Sequence, residues 1–303
     1  MTMAAQERPA RRSWIMRRPG IAIGIALLVA LALFAVLVPL LSPYDANDAT
    51  AVQQRMQAPS AEHPFGTDDF GRDVMLRLAV GIGTSMQVAL GTSIVALVLG
   101  LFLGLVAVFV RLLDQPIMRV CDGLLAIPGV LLALAVVAAT GASTWSLIAC
   151  LIIVETPNVV RLTRSAALGI RERRYVEAAE AAGVRPATVV VRHVLPGVVV
   201  PVAVQASAVF GAAIIIEAAL SFLGAGVPAP TASLGNMLSD AKGFINIAWW
   251  MMTFPAAALA GLVLGANLIG DGIAGSGLLR RPRRRDRARL TRDEAMSIEG
   301  ARS

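Results

Sequence analysis

The stretch that decides the fold is residues 89–110, which read ALGTSIVALVLGLFLGLVAVFV. It contains no charged residue and is long enough to cross a bilayer as a helix, since about 20 residues at about 1.5 Å each cover ~30 Å of hydrocarbon. Of the whole chain, 56% of the residues are hydrophobic and only 16% are charged. Soluble proteins carry about 25% charged residues. The sequence therefore predicts an all-α integral membrane protein.

Six stretches have the length and composition of a transmembrane helix. They are approximately residues 21–41, 89–110, 120–140, 145–160, 197–218 and 249–269. The fourth is the weakest, because Glu155 and Pro157 interrupt it, and its end near residue 160 is predicted to be irregular or to lie in the membrane interface. The first is about twice as long as the apolar core of a signal peptide and lacks a small-residue cleavage site. It is predicted to be an uncleaved span.

The basic residues orient these spans. Of the 27 Lys and Arg residues, 23 fall on the side of the N-terminus when six spans are drawn, and four fall on the other side. Lys and Arg accumulate in cytoplasmic loops, so both termini are predicted to be cytoplasmic. The charges flank apolar stretches and form no basic face with interleaved aromatic residues. Nucleic acid is therefore excluded as a partner, and the lipid bilayer is the expected surroundings.

The predicted topology divides the chain into five parts. These are a basic cytoplasmic arm (1–20), the first transmembrane helix (21–41), an extracytoplasmic loop rich in turn residues (42–88), a domain of five further spans (89–272) and a basic cytoplasmic tail (273–303). Within the five-span domain, residues 161–196 form a long cytoplasmic loop. The arginines of the tail are expected to contact anionic lipid.

The most specific local pattern lies in the loop at 161–196. Residues 175–183 read YVEAAEAAG, and Arg185, Pro186 and later His193-Val194-Leu195-Pro196 follow. Ala, Glu and Arg are strong helix formers, and Gly183 suits the left-handed residue that ends a helix. Pro186 suits the first turn of a new helix. The pattern predicts a helix, a tight break and a second helix.

One stripe of the first predicted helix consists of small residues. Tyr175, Ala178, Ala179 and Ala182 share it at three- and four-residue spacing. Small side chains allow another backbone to come close, so the stripe indicates a docking surface for a soluble partner. A loop helix that simply rests on its own bundle is the other interpretation, and the residues alone leave both open.

These motifs resemble those of permease subunits of ABC importers. The order Glu177-Ala178-Ala179, three residues, Gly183 and, after a spacer, Leu195-Pro196 is similar to the coupling loop of that family. A His at position 193 is similar to the dipeptide, oligopeptide and nickel subfamily, of whose two permease halves the chain resembles the C-type half. Further similar motifs are His63 to Asp68, Gly71 to Val74, Met118-Arg119 with Asp122, Ile127-Pro128, Glu217 to Gly224 and Asn267 to Gly272. Gly197 stands where the family usually has Asn.

The resemblance implies the type I fold of an ABC importer permease and a transport role. Closure of two ATPase subunits or domains would tilt the spans through the coupling loop. The implied partners are those ATPases, a second permease subunit of the B type and an extracytoplasmic substrate-binding protein, in a bacterial cytoplasmic (inner) membrane. The residues expected to couple are Glu177, Ala178, Ala179 and Gly183, with Tyr175, Leu195 and Pro196 holding the loop against the bundle. The solute, whether a peptide, nickel or another, stays open.

ATP is expected to bind to the partners and not to this chain. A phosphate-binding loop needs Gly-x4-Gly-Lys-Ser/Thr, and the one lysine, Lys242, lies between Ala241 and Gly243. The sequence thus predicts no cofactor in this chain, no catalytic residue and no enzyme activity, with ATP and Mg bound by the ATPase subunits.

Metal sites are not favoured. Asp68, Asp69 and Asp73 could form a cation loop, but no bidentate Glu follows at the spacing of a calcium loop, and a structured turn is preferred. His63 and His193 lie on opposite sides of the membrane in the predicted topology, so they cannot share a metal ion.

Acidic residues in or near the spans keep two other hypotheses open. Glu155, Glu217 and Asp271 are all expected close to span ends, and intramembrane acids can form proton relays. A proton-driven secondary transporter would work through Glu155 or Glu217. A non-transporting membrane scaffold would use the Glu177–Gly183 helix for docking alone.

The glycine pattern Gly100-x3-Gly104 indicates close helix packing within the chain or with a partner.

Overall fold

The computed structural model describes residues 19–42, 45–46 and 54–275. Residues 1–18 of the predicted arm and 276–303 of the predicted tail lie outside it. The described chain is helical, apart from an isolated β-bridge between Thr67 and Asp73. The helices are α1 (Pro19–Leu41), α2 (Val74–Phe109), α3 (Arg111–Leu125), α4 (Gly129–Thr140), α5 (Thr144–Arg171), α6 (Arg174–Ala181), α7 (Pro186–Val189), a π-helical turn (Val190–Val194), α8 (Leu195–Phe222), α9 (Leu234–Ala241) and α10 (Trp249–Ala274).

The described residues contain five candidate spans, or six if a bent pair of helices is counted as one. Five segments are long and apolar enough to cross a membrane, namely α1, α2, α5, α10 and the segment Pro186–Phe222 that contains α8. The bent pair α3 and α4 gives a sixth if it is counted as one span. The predicted all-α fold is therefore confirmed, and the six predicted spans correspond to five helical segments and this bent pair.

The third predicted span, residues 120–140, is not one straight helix. α3 and α4 differ in direction by 93° across the short break between Leu125 and Gly129. Pro128 explains the break, because proline cannot donate a backbone hydrogen bond and disfavours helical angles in the residue before it. α3 is tied to α5, since the Arg164 guanidinium donates two hydrogen bonds of 2.6 and 2.7 Å to the Asp114 carboxylate.

The fourth predicted span was expected to be irregular near residue 160 or to lie there in the membrane interface, and the expected irregularity is wrong. α5 continues from Thr144 to Arg171 through both Glu155 and Pro157. Both residues are buried among neighbouring helices. Tertiary packing supports the turns around a proline inside a spanning helix, so the lost hydrogen bond does not break it.

Two predicted loops are shorter than expected because the flanking helices begin earlier or end later than predicted. α2 starts at Val74, inside the predicted loop 42–88, where the Asp73 carboxylate accepts a hydrogen bond of 2.8 Å from the Leu76 amide and caps the helix. In the predicted loop 161–196, residues 161–171 belong to α5 and residues from Pro186 onward lead directly into α8. Hydropathy alone did not show these polar helix ends.

Glycines allow the helices to pack closely in pairs. A Cβ atom on Gly104 of α2 would lie 2.6 Å from Thr163 Cβ of α5, and Gly100 faces Val159 with equally little space. A Cβ atom on Gly24 of α1 would lie 2.7 Å from a carbonyl oxygen of α10. The Gly100-x3-Gly104 pattern thus serves packing within this chain, which decides between the two roles that the sequence left open.

We name the two ends of the bundle by the predicted orientation. The outer end carries residues 54–73, α9 and the first turn of α10, where Trp250 Nε1 donates a hydrogen bond of 3.1 Å to the Thr67 carbonyl oxygen. The inner end carries α6, α7 and the last turns of α2 and α5, where Arg171 Nη1 donates a hydrogen bond of 3.1 Å to the Val108 carbonyl oxygen.

Candidate functional site

α6 is the first helix of the predicted coupling loop and lies on the surface of the inner end. It runs from Arg174 to Ala181. Val176 is its one buried residue, with none of its surface exposed. α6 therefore rests on the bundle along a narrow line and presents its other faces outward.

Gly183 ends α6 in the way that the sequence predicts. Its φ angle is +78°, in the left-handed region that favours glycine. The Gly183 amide donates to the Glu180 carbonyl over 3.0 Å, and the Val184 amide donates to the Ala179 carbonyl over 3.1 Å. These two bonds form a Schellman motif, which satisfies carbonyls that the helix leaves without partners. The predicted helix and tight break are confirmed.

The second helix of the loop is confirmed as well, with a feature that the sequence analysis missed. α7 begins at Pro186, as predicted, and leads into α8 through the π-helical turn. Pro196 has no N–H group to donate to the Arg192 carbonyl, and the Leu195 amide bonds to the Val190 carbonyl, five residues back. The Leu195-Pro196 pair thus lies where the helix changes its hydrogen-bond pattern, and such π-bulges are frequent at functional sites.

Valine side chains form the buried part of the contact between the loop and the bundle. Tyr175 and Pro196 are exposed and Leu195 is half-buried. The buried residues of this contact are Val176, Val189, Val194 and Val198, packed against Val108, Ala167 and Ile170. We call these four valines the valine cluster. The sequence missed Val176 because it lies one position away from the alanine stripe.

The predicted coupling residues face away from the bundle. Glu177, Ala178 and Gly183 are exposed, and Ala179 is half-buried. The Tyr175 ring, half-exposed, lies edge-on to the His193 ring with 6.2 Å between the ring centres. The small-residue stripe is therefore not a face that packs on the chain itself, which favours the docking interpretation over a helix resting on its own bundle.

Arg171 is a further residue of the inner end that the sequence gave no reason to select. It is the last residue of α5, and its side chain contacts α6 through Glu180. Glu180 is nine residues away along the chain, but the other contact, Val108, lies 63 residues away. Local spacing rules cannot find a contact of that separation.

At the outer end, the acidic residues form the structured turn that the sequence favours. Asp68 accepts hydrogen bonds from the Phe70 and Arg72 amides, both 2.9 Å, and from Arg72 Nε at 2.6 Å. The Arg77 guanidinium lies 3.4 Å from the same carboxylate. Within residues 19–42, 45–46 and 54–275, no three His, Cys, Asp or Glu side chains are placed to hold a metal ion.

His63 belongs to this outer turn. Its Nδ1 lies 2.8 Å from Asp73 Oδ2, so the ring supports the carboxylate that caps α2. His193 lies in the π-helical turn of the inner end. The two histidines therefore occupy opposite ends of the bundle, as predicted, and share no ligand.

Two further outer carboxyl groups carry shifted pKa values. Burial raises the pKa of Asp69 above its ordinary 3.8, and the neighbouring charge of Asp68 raises it further. Burial also raises the pKa of Asp240, against the lowering effect of Arg77 and Arg72. These acids are thus disfavoured in their charged form at the outer end.

The three acids in or near spans differ in position. Asp271 is exposed in the last turn of α10, as expected. Glu155 lies inside α5, with more than ten residues of helix on either side, and its position near the end of a span stays a prediction. Glu217, fully buried in α8, accepts hydrogen bonds of 2.7 Å from Ser85 and Ser221. These serines give Glu217 the partners that a buried carboxyl group needs.

The family model described as "Binding-protein-dependent transport system inner membrane component" matches residues 96–276, which include α6, Gly183 and the π-helical turn. The chain belongs to this family. It is a permease subunit of an ABC importer, a multi-pass protein of the bacterial inner membrane, and not an enzyme. The family of importers also implies ATPase and other subunits beside the permease.

Curated relatives cover most of this permease. A putative peptide transport system permease protein of Brucella suis biovar 1 is 41% identical over 86% of this chain and 87% of its own length. The dipeptide transport system permease protein DppC of Alkalihalophilus pseudofirmus is 41% identical over 83% of both chains. The probable D,D-dipeptide transport system permease protein DdpC of Escherichia coli is 35% identical over 87% of this chain and 89% of its own.

A solved structure shares the fold. A chain from the inward-facing MetNI methionine ABC transporter superposes with a TM-score of 0.58 at 20% identity, over 68% of this chain and 98% of that chain. The importer-permease fold expected from the sequence is thereby confirmed. Nothing in these comparisons supports the proton-driven transporter or the non-transporting scaffold.

Proposed function

We propose that this permease is the C-type half of an importer for small peptides. Its partners are a second permease of the B type, two ATPase subunits or domains that bind ATP and Mg, and an extracytoplasmic binding protein. The peptide substrate is supported by the relatives at 41% identity, whose names describe peptide and dipeptide transport.

α6 is the element through which ATP hydrolysis reaches the spans. In this proposal its exposed face docks in a groove of an ATPase subunit, with Glu177, Ala178, Ala179 and Gly183 at the contact. One observation carries the proposal. α6 stands on a single buried residue, Val176, and the Schellman motif at Gly183 turns the chain sharply back. A surface helix that is held so lightly and ends so abruptly can fit into a partner's groove and move with it.

Tyr175, Leu195 and Pro196 support this element in the proposal. Tyr175 contacts His193 in the π-helical turn, and Leu195 and Pro196 form the junction between that turn and α8. A π-helical turn is a weak point in a long helix. It would let the Pro186–Phe222 segment bend where the coupling loop joins the span.

The proposal is tested by Gly183→Val in the complete transporter, reconstituted in proteoliposomes with its partner subunits. A β-branched residue at a positive φ angle strains the backbone by about 1–2 kcal/mol, so the end of α6 should shift. Aspartate would be a weaker test, because Asp tolerates the left-handed region. The readout is the coupling ratio, the number of solute molecules imported per ATP hydrolysed.

Gly224→Val is the matched control. Gly224 has a φ angle of +81° and ends α8 with the same pair of hydrogen bonds, from Gly224 to Ser221 and from Ala225 to Leu220. Neither glycine has a heavy atom within 4 Å of the position of an added Cβ atom. We expect Gly183→Val to lower the coupling ratio at least tenfold, and Gly224→Val to leave it unchanged. Equal ratios in both variants, or uptake without any ATPase, would overturn the coupling role.

The substrate is tested separately in the same proteoliposomes. Labelled dipeptides and tripeptides are supplied with the binding protein, and nickel is supplied in a parallel preparation. ATP-dependent peptide uptake supports the proposal. Nickel uptake without peptide uptake would refute the substrate while leaving the coupling role intact.

A further inference from the structure

Arg171 of α5 contacts two other elements of the inner end, α6 and α2. From the last turn of α5, its Nε donates a hydrogen bond of 3.2 Å to Glu180 Oε1 on α6. Its Nη1 donates a hydrogen bond of 3.1 Å to the Val108 carbonyl oxygen of α2. Its guanidinium carbon lies 5.1 Å from the centre of the Phe109 ring, within the range of a cation–π contact.

The Val108 carbonyl is a favourable acceptor for a cation. It lies in the last turn of α2, which ends at Phe109. The last carbonyls of a helix lack partners in the helix and carry the negative end of its dipole. Arg171 therefore binds α2 at the place where a positive donor is most stabilised.

The geometry of the guanidinium matters more than its charge. It is a rigid planar fork with several N–H donors, so one arm can hold Glu180 while another holds the α2 carbonyl. A lysine ammonium on its flexible stem cannot hold both acceptors in one fixed arrangement. The Arg171 and Glu180 side chains are 40% and 38% exposed, and an ion pair at that exposure adds little to folding stability.

The valine cluster cannot replace this link. Apolar packing is non-directional, so Val176 can slide or tilt over its neighbours while staying buried. A hydrogen bond weakens steeply when it is bent, so the Arg171 contacts resist such a tilt. Displacement of α6 reaches α5 through the backbone of residues 172–173, and it reaches α2 most directly through Arg171.

We propose that Arg171 is a positioning residue that transmits the displacement of α6 to α2 in each ATP-driven cycle. This inference rests on the proposed coupling role of α6. α2 and α5 also pack closely farther along, where Gly100 and Gly104 of α2 lie on Val159 and Thr163 of α5 without space for a Cβ atom.

The test compares coupling ratios of the complete transporter in proteoliposomes. Arg171→Ala and Arg171→Lys should both lower the ratio about three- to tenfold, the size expected for a residue that carries coupling between two sites. ATP hydrolysis should continue, and the melting temperature of the complex should stay close to that of the wild type. Glu180→Ala, which breaks the same contact from the α6 side, should have a similar effect. The double variant should be no worse than either single one.

Arg161→Ala is the matched control. Arg161 is also on α5, is 58% exposed in its side chain and lies 3.9 Å from an exposed carboxylate, Asp122 of α3. Its removal deletes an arginine and an exposed ion pair from the same helix without touching α6 or α2. We expect a coupling ratio equal to that of the wild type.

Exchanging the two charges tests the contact of Arg171 with α6 separately from its contact with α2. Arg171→Glu combined with Glu180→Arg restores an ion pair between α5 and α6, but a glutamate cannot donate a hydrogen bond to the Val108 carbonyl. The proposal predicts that the transporter with both substitutions keeps a low coupling ratio. Full recovery would overturn the transmission to α2. If Arg171→Ala assembles poorly, Glu180→Ala and the charge exchange decide the question alone.

The outcomes also distinguish this inference from the coupling role of α6. If Gly183→Val uncouples the transporter and the Arg171 variants do not, α6 couples through the valine cluster and the inference is wrong. If none of these variants changes the ratio, both the inference and the coupling role fail.

Discussion

At the outer end of the molecule, the segment before α2 is fixed by hydrogen bonds to buried side chains, whereas α6 at the inner end rests on the valine cluster and Arg171. Asp68 accepts bonds from two backbone amides and from Arg72, and Trp250 bonds to the Thr67 carbonyl. Val176 makes only apolar contacts through its side chain. Directional bonds hold one arrangement, and apolar contacts tolerate sliding. The outer segment is therefore held in one position, whereas the inner loop is held less firmly and can move.

The aromatic residues of the outer end show the same difference. The Phe65 ring stacks on Phe254 of α10, with 4.1 Å between the ring centres, and on Phe34 of α1, with 6.1 Å. These contacts join the outer segment to two spans. At the inner end, the Tyr175 ring contacts only one neighbouring ring among the described residues, that of His193. Substitutions at the outer end should therefore mainly lower the melting temperature, and substitutions at the inner end should mainly lower the coupling ratio.

Asp68→Ala should have the largest effect on stability. The substitution removes a buried carboxylate and leaves the Arg72 and Arg77 guanidinium groups without it, and breaking a buried ion pair costs about 3–5 kcal/mol. The melting temperature of the detergent-solubilised complex should fall strongly. The coupling ratio of the complex that survives should stay unchanged. A normal melting temperature would mean that the outer turn is not the fixed element.

Trp250→Phe should have the next largest effect. The ring is retained, but the buried Thr67 carbonyl loses the donor Nε1 at 3.1 Å, and an unsatisfied buried acceptor costs about 2 kcal/mol. We expect the melting temperature of the detergent-solubilised complex to be lower for this variant than for the wild type. Thr253→Val is the control, since its hydroxyl bonds only within α10 and is exposed. Equal melting temperatures for the two variants would contradict the account.

Val176→Ala should destabilise less but affect transport more. The loss of two buried methyl groups costs about 1–2 kcal/mol, and it falls on the inner loop. We expect faster proteolysis of residues 172–186 and a lower coupling ratio, with a nearly normal melting temperature. Val191→Ala, at an exposed valine of the same loop, should change neither. A strong drop in melting temperature for Val176→Ala would show that α6 is as firmly fixed as the outer segment.

The smallest effect is a pH dependence at the outer end. Asp69 and Asp240 have raised pKa values, so the folded state holds their protons more tightly than the unfolded chain. Stability from these groups is therefore present near the ordinary carboxyl pKa and falls as the pH rises through the raised values. The melting temperature should decline slightly as the pH rises from the ordinary carboxyl pKa through these raised values. In the Asp240→Asn variant the melting temperature should decline less over the same pH range than in the wild type. An equal decline would contradict the contribution of Asp240 to the pH dependence.

The local features of the inner loop could be predicted, because short-range rules govern them. Gly183, Pro186 and the helix between Arg174 and Ala181 follow from helix propensity and the chemistry of helix ends. The spans follow from hydropathy. Pro128 also indicates the break before α4, but residues 120–140 are apolar enough to be counted as one uninterrupted span.

The contacts between distant segments could not be predicted from one sequence. Arg171 meets Val108 only because α2 and α5 pack along their lengths. α5 passes Pro157 unbroken because neighbouring helices bury that turn. The sequence selected Tyr175, Leu195 and Pro196 for holding the loop and gave no reason to select the buried valines next to them, since burial depends on which face meets the bundle.

We expect α6 to move with the ATPase while the outer turn stays fixed. Hydrogen–deuterium exchange of the complete transporter, with and without a non-hydrolysable ATP analogue, tests it most directly. The account predicts that the amide exchange of residues 174–184 changes on nucleotide binding and that the exchange of residues 66–73 does not. Unchanged exchange in α6, or a change confined to the outer turn, would contradict it.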